Sequence, residues 1–532
     1  MTQFVHRRLL TLAGGAALSA LAGCNFAPHY VRPIGAVAPT LPEGGIYPAA
    51  ATDAPDVTRV GWRDFFLDDR LRRTIEAGLA NNRDLRVAAA NVLQARAQLR
   101  IQRADLLPTT GLSGSATYTN NPLGATGATA GGAATGGVTG TGTTGSTGTG
   151  TTGTGLGTTG GTTGTSGVGA AGGTGVGAGA GIGSTSTNLQ YYALNAGFSS
   201  YEVDLFGRVR NLSRAAQEQL FASQEAQRSV RITLIAEIAT AWLTMASDQD
   251  QLTLSRQTLA AFRQTLDLTS AQFRIGTGSE LEVRQAETNY QAARNDIATL
   301  AVRIAQDQNA LQVLVGAAVS PADLPSGLGD AVATRDALPA GLSSDVLLRR
   351  PDVLQAEHQL IAQNANIGAA RASFFPTISL TATVGTISSA LSGLFAGGSF
   401  SYTGAPAISL PLFDGGRLRG NLEYARASRE AATGTYERTI QTAFREVADA
   451  LAQRGGIAEQ IDAQTARANA ATIAARLSDA RFRAGVDSFL NTLDAQRTAY
   501  AARQQLATTR YTRASNLVEL YRSLGGGTLD RS

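Results

Sequence analysis

Leu490, Asp494 and Arg497 stand at i, i+4 and i+7, so a helix brings an apolar, an acidic and a basic side chain onto one face. Such a trio can set the charge and width of a narrow passage. It can also be a solvated face with an Asp–Arg pair one turn apart, and on these residues alone the solvated face is preferred. The rest of the chain offers little chemistry. It has no lysine, three histidines (His6, His29, His358) and one cysteine. That removes a P-loop lysine, a Schiff-base lysine and a Ser–Lys dyad, and leaves no histidine pair or cysteine cluster spaced for a metal. No nucleophile stands beside a base, so the sequence gives no case for an enzyme, a catalytic residue or a cofactor. A formal net charge of +4 over 532 residues gives none for nucleic acid.

The trio follows a glycine, and that glycine belongs to a repeat. Gly207–Leu300 lies on Gly416–Thr509 without a gap: Gly207-Arg208 on Gly416-Arg417, and Phe273-Arg274-x-Gly276-x-x-Ser279 on Phe482-Arg483-x-Gly485-x-x-Ser488. Each copy is rich in Ala, Gln, Arg, Leu and Glu and is broken by Gly at one central place, which predicts a helical hairpin. The first arm, Gly207 to Ile275, would span roughly 100 Å, longer than any ordinary globular core. Gly276 and Gly485 can end their arms in the left-handed conformation. Ser279 then caps the next arm and Glu282 completes a Ser-x-x-Glu box. The second tip has Ser488-x-x-Asn491, so the tips differ in charge. Where the second copy carries Leu490, Asp494 and Arg497, the first has Leu281, Gln285 and Thr288. A second stretch also repeats: Arg103-Ala104-x-x-x-Pro108-Thr109 matches Arg371-Ala372-x-x-x-Pro376-Thr377, and Asp84 matches Asp352.

Residues 1–23 read as an export signal, with a basic His6-Arg7-Arg8 start and a short apolar core. Leu21-Ala22-Gly23-Cys24 follows and resembles the lipobox of bacterial lipoproteins, which makes Cys24 the expected lipidation site and implies a membrane anchor, not a span. Residues 24–62 form a Pro-rich strap. Residues 63–315 are a first structural repeat of helices, β hairpin and long helical hairpin. Residues 316–345 connect it to a second repeat over 346–525. The first β hairpin holds a loop, 124–184, almost wholly of Gly, Thr, Ala and Ser, which cannot bury a core. It reads as a tolerated insertion.

Each β segment follows a Pro and alternates apolar with small or polar residues. Leu112, Ala116 and Tyr118 face one way, then Tyr192, Leu194, Ala196 and Phe198. The second repeat gives Leu380, Ala382 and Val384, then Phe400, Tyr402, Ile408, Leu410 and Leu412. No acid or base occurs between Asp105 and Glu202. A transmembrane barrel needs this pattern. Four strands cannot close a barrel, and an open edge in lipid leaves backbone groups without partners. Copies of the chain must therefore share strands. Two would give a barrel filled by its own side chains and three a channel, and the small lumen-facing residues lean toward three. The expected fold is mainly α with transmembrane β: a trimeric α/β-barrel channel of twelve shared strands and a long α-helical barrel, built on an internal duplication.

The chain resembles the TolC-like outer membrane factor family, in particular the lipoprotein branch serving resistance–nodulation–division multidrug pumps. Carrying the resemblance are Cys24, Trp62-x-x-Phe65-Phe66, Asn82-Arg83-Asp84-Leu85, Asp204-Leu205-Phe206-Gly207-Arg208, Leu348-Arg349-Arg350-Pro351-Asp352, Phe374-Phe375-Pro376, Leu412-Phe413-x-x-Gly416 and Leu493-Asp494-Ala495-Gln496-Arg497. The resemblance implies a homotrimer in outer membrane lipid. It implies a collar from residues near 310–345 and the two termini. It implies docking on a periplasmic membrane-fusion adaptor and an inner-membrane transporter, and passive release of drugs or other small molecules. It also implies that Leu490, Asp494 and Arg497 form a periplasmic constriction; Glu282 on the other tip is a further gate candidate beside its capping role, and adaptor engagement is expected to open the gate by splaying the hairpins at Gly276 and Gly485. A type I protein-secretion channel shares this fold. A cell-surface scaffold or adhesin is the rival outside it.

Overall fold

The computed structural model describes residues 25–33, 35–48, 60–121, 187–329 and 343–526. The signal, Cys24 and the 124–184 loop lie outside the described residues. In order the elements are α1 (Trp62–Phe65), α2 (Asp69–Asn81), α3 (Arg83–Ala104), β1 (Thr110–Asn121), β2 (Thr187–Val203), α4 (Arg208–Arg274), α5 (Glu280–Val315), α6 (Pro351–Ala372), β3 (Thr377–Ser388), β4 (Phe400–Ser409), α7 (Arg417–Arg483) and α8 (Phe489–Ser523). Two compact units result. One is Met1–Thr109, Ser200–Leu380 and Pro406–Ser532; the other is Thr110–Ser199 and Thr381–Ala405.

The duplication is visible element by element. α4 and α7 are each 67 residues long, and each starts after a glycine at positive φ, +79° at Gly207 and +89° at Gly416. α3 and α6 are each 22 residues long. Within the helical unit α3 packs on α4, α4 on α5 and α7 on α8, while α6 lies against both α4 and α7. The sequence suggests one helix over Asp64–Ala80, but the structure breaks it. Phe66 leaves the helix at φ −86°, ψ 122°, and Asp68 restarts it by accepting from the Arg70 and Leu71 amides at 2.7 and 3.3 Å. The break lets Phe65 and Phe66 both reach the core, each fully buried.

That core sits at one level of the long helices. Leu234 to Ala246 of α4 meet Trp62, Phe65, Phe66, Leu71 and Ile75, Val319 in the 316–345 connector, Leu347 just after it, and Leu517 to Leu524 near the C-terminus. Phe65 stacks on Tyr521 with centroids 4.3 Å apart. Trp242 is 1% exposed and its indole N–H donates to the Asp323 carbonyl at 3.0 Å. α4 also holds a window apolar enough for a membrane span, but 56% of that window is buried in the chain, and Leu234 to Ala246 belong to this core. Elsewhere two smaller apolar clusters join the helices, and Thr258, Thr265 and Thr269 bond carbonyls within their own helix.

On the α4–α6 seam His358 lies 2.7 Å from a Glu218 carboxylate oxygen and packs on Phe221. The hydrogen bond to Glu218 raises the imidazole pKa despite burial, and the Glu225 carboxyl nearby is raised by burial. Both shifts are upward, so both groups hold protons more tightly in the fold. The His358 contribution is complete below the ordinary imidazole value of about 6.5 and is lost as pH rises through the higher folded value. Thermal stability should therefore fall as pH is raised through neutrality, and His358→Gln should flatten that slope in a pH series of melting curves.

The four strands form one sheet in the order β1-β2-β3-β4. β1 and β2 pair antiparallel from Thr110↔Phe198 to Asn121↔Thr187. β1 and β4 are the edges, and apolar side chains stay out of the fold: Leu112 is 73% exposed, Tyr118 65%, Tyr402 80% and Ile408 72%. Two glycines allow the central pair to approach. A Cβ at Gly197 would meet the Ala382 carbonyl oxygen, and one at Gly385 the Leu194 carbonyl oxygen. Gly197→Val should cost about 3 kcal/mol by overpacking and show as loss of heat-resistant sheet by circular dichroism.

Candidate functional site at the hairpin tips

Each hairpin turns on a glycine in the left-handed region, φ +79° at Gly276 and +74° at Gly485. At the first tip the Thr277 and Gly278 amides donate to the Gln272 carbonyl at 2.9 and 3.2 Å, closing α4. Ser279 accepts from the Glu282 amide at 3.3 Å, and the Glu282 carboxylate accepts from the Ser279 amide at 3.0 Å. Glu282 is thus engaged at its own helix end. The second tip is closed differently. The Val486 amide donates to the Arg481 carbonyl, Ser488 makes no side-chain cap, and Arg481 donates to Asp487 at 2.7 Å across the turn. The Arg481 hydrogen bond holds the Asp487 carboxyl below its usual range.

The two hairpins of one chain meet through α8. Phe489 and Leu493 are buried against Ala286 of α5, with Leu266 and Phe482 packed beside them. The Phe482 and Phe489 rings lie 5.4 Å apart. One turn on, Gln496 donates to Thr265 at 3.2 Å. Tyr500 then bonds Ser255 at 2.8 Å and donates to Asp296 at 2.9 Å, joining α8 to both arms of the other hairpin. Burial, more than the Asp296 contact, pushes the Tyr500 phenol up to about 12. Of the duplicated tip aromatics, Phe482 packs inward and Phe273 is 45% exposed.

This seam decides what the other face of α8 can do. Phe489, Leu493, Gln496 and Tyr500 point into the chain. Leu490 is 60% exposed, and Asp494 and Arg497 are exposed as well. Asp494 and Arg497 make no hydrogen bond or ion pair among the described residues, so the Asp–Arg pair that the spacing allowed within one helix does not form. The matched Leu281 of the first tip is 66% exposed. The structure thus brings the three residues of the trio onto one free face and keeps Glu282 apart from them in its cap. Sequence reading missed the Phe489–Leu493 plug and the Tyr500 contacts. The i, i+4 spacing of Phe489 and Leu493 was a signal for the first, but the Tyr500 partners are distant in sequence.

The strap approaches the opposite end of the helical unit. The Phe26 carbonyl accepts from Arg371 at 3.1 Å and the Pro28 carbonyl from Asn364 at 2.7 Å, both on α6. Phe26 stacks on Phe375, which stacks on Phe206. Arg32 forks onto Glu357 at 2.8 and 2.7 Å. A Cβ on Gly368 would stand 2.8 Å from Ala27. Gly368→Leu should lift the strap and speed proteolysis within residues 25–33 by about tenfold or more, equivalent to roughly 1.4 kcal/mol of lost contact, while cleavage elsewhere stays unchanged.

Residues 74–317 and 342–526 match the model of the outer membrane efflux protein family. The solvent efflux pump outer membrane protein SrpC of Pseudomonas putida is 39% identical over 514 residues, covering 96% of this chain and 97% of its own. The cation efflux system protein CusC of Escherichia coli is 35% identical over 510 residues, again 96% and 97%. The crystal structure of the open state of the Neisseria gonorrhoeae MtrE outer membrane channel superposes with a TM-score of 0.76 at 33% identity, covering 95% of this chain and 99% of that one.

Proposed function

We propose, from the fact that this chain belongs to the outer membrane efflux protein family, that three copies assemble into one outer membrane channel that passes small molecules outward without catalysing any reaction. The observation that carries the proposal is the open sheet. Among the described residues β1 and β4 are the edges of the sheet, and Leu112, Tyr118, Tyr402 and Ile408 on them are exposed; lipid tolerates no free edge. Pairing β4 of one copy with β1 of the next removes every edge, and three copies give twelve strands. Lipidation at Cys24 fits this placement. Phe26, two residues after Cys24 in the sequence, stacks on Phe375.

In this reading the helical hairpins extend into the periplasm. Around a threefold axis the free face of α8 supplies three copies each of Leu490, Asp494 and Arg497. Leu490 narrows the passage, the Asp494 ring favours cations, and Arg497 is available to a neighbouring chain. Gly276 and Gly485 are the hinges. A periplasmic membrane-fusion adaptor engages the tips and an inner-membrane transporter loads the passage. The cargo follows the pump, since the relatives are named for solvents and for cations. The purified mature protein added to a planar bilayer should give uniform conductance steps; a protein that stays in water without detergent and leaves the bilayer silent would refute this reading.

A further inference from the structure

The duplication sets two helix faces in the same register, and the two are covered differently. α3 and α6 coincide residue for residue, with Arg103 on Arg371 and Asp84 on Asp352. On α6 the face formed by Asn364, Gly368 and Arg371 carries the strap, through the Pro28 carbonyl, the Ala27 backbone and the Phe26 carbonyl. Among the described residues one strap is present, and it lies on α6. On α3 the corresponding positions are Arg96, Arg100 and Arg103, and all three are exposed.

We propose that the Arg96–Arg100–Arg103 face of α3 binds the phosphate of anionic phospholipids in the periplasmic leaflet, seating the first repeat as the strap seats the second. Arg96 and Arg100 have no hydrogen bond or ion pair among the described residues, and Arg103 donates only to the neutral Gln217 at 3.2 Å. Like charges at i, i+4 and at i, i+3 repel one another on a helix. The favourable field at a helix C-terminus accounts for Arg103 but fades within the last turn, which leaves Arg96 and Arg100 unexplained. A row of guanidinium forks is suited to phosphate oxygens. Arg103 stands seven residues before β1 opens at Thr110, and the matched face on α6 receives the residues that follow Cys24, the expected lipidation site.

The inference rests on the channel reading, and the test separates the two. The lipidated protein is purified in detergent and its bound lipid is measured by native mass spectrometry against phosphatidylglycerol, phosphatidylcholine, and phosphatidylcholine with added inorganic phosphate. Conductance is recorded on the same samples. Each arginine near an anionic surface should contribute roughly fivefold to the preference. The wild type should retain phosphatidylglycerol well over phosphatidylcholine. Arg96→Gln/Arg100→Gln/Arg103→Gln should lose most of that preference, and the triple Lys variant should keep it. A charge-matched control at Arg294, Arg438 and Arg476, also exposed, should behave as wild type. A conducting wild type with no preference, an unchanged triple Gln variant, an equal loss in the control, or phosphate displacing the lipid would each overturn the site while leaving the channel standing. If instead the triple Gln variant falls apart into single chains without lipid present, the arginines serve a chain–chain contact and the lipid site is rejected.

Discussion

Arg350→Ala should be the most destabilising single change outside the aromatic core, lowering stability by about 3 kcal/mol in chemical denaturation. The Arg350 side chain is 6% exposed. Its guanidinium holds three partners at once: Asp352 at 2.7 and 3.0 Å, Glu446 at 3.0 Å and the Ser523 carbonyl at 2.6 Å. Burial works against the charge, but the Asp352 and Glu446 carboxylates outweigh it and raise its pKa. One side chain therefore ties the start of α6, the middle of α7 and the end of α8. Removing it leaves a carbonyl and part of Glu446 desolvated without a partner, a change that costs about 3–5 kcal/mol when fully buried. The lower end applies because Glu446 is 23% and Asp352 35% exposed, and Arg522 still reaches Glu446 at 3.5 Å. Arg350→Lys should fall between, since an ammonium keeps the charge but cannot fork three ways. Equal stability of the Ala variant and wild type would show the network to be idle.

Asp494→Asn should shift ion selectivity most, without changing stability. The side chain is exposed and unpartnered among the described residues, so its loss disrupts no contact within the chain. Three carboxylates about 4 Å from a passing cation contribute about 1 kcal/mol each in water. Cation preference in single-channel recordings should drop several-fold at low salt, and the difference should fade as salt rises. Phe489→Ala makes the contrasting change. It opens the plug between the hairpins, so it should raise the open probability while leaving selectivity alone. An Asp494→Asn channel with unchanged selectivity would remove that residue from the passage.

Much of this architecture was legible because it is written twice. Long arms, central glycines and alternating strands are local patterns, and their repetition fixed the hairpins and the sheet. The break between α1 and α2 was not legible, because Phe65 and Phe66 leave helical spacing to satisfy a core assembled from distant segments. Leu348-Arg349-Arg350-Pro351-Asp352 was recognised as a motif, but the role of Arg350 depends on Glu446 and Ser523, which no local pattern links to it. At the tips the spacing places Leu490, Asp494 and Arg497 on one helix face. It could not tell that Asp494 and Arg497 stay apart within one chain, or that Glu282 is held in its cap. Those outcomes depend on which side of α8 Phe489 and Leu493 bury.

The central claim is that β4 of one chain pairs with β1 of the next until three chains close a ring. The only native cysteine is Cys24, so cysteines placed at Ser115 on β1 and Ala405 on β4 give a specific readout when joined by a short flexible bismaleimide in native membranes. Denaturing gels should show a ladder that ends at three chains. A single-chain band alone, or a ladder running on past three, would contradict the shared barrel.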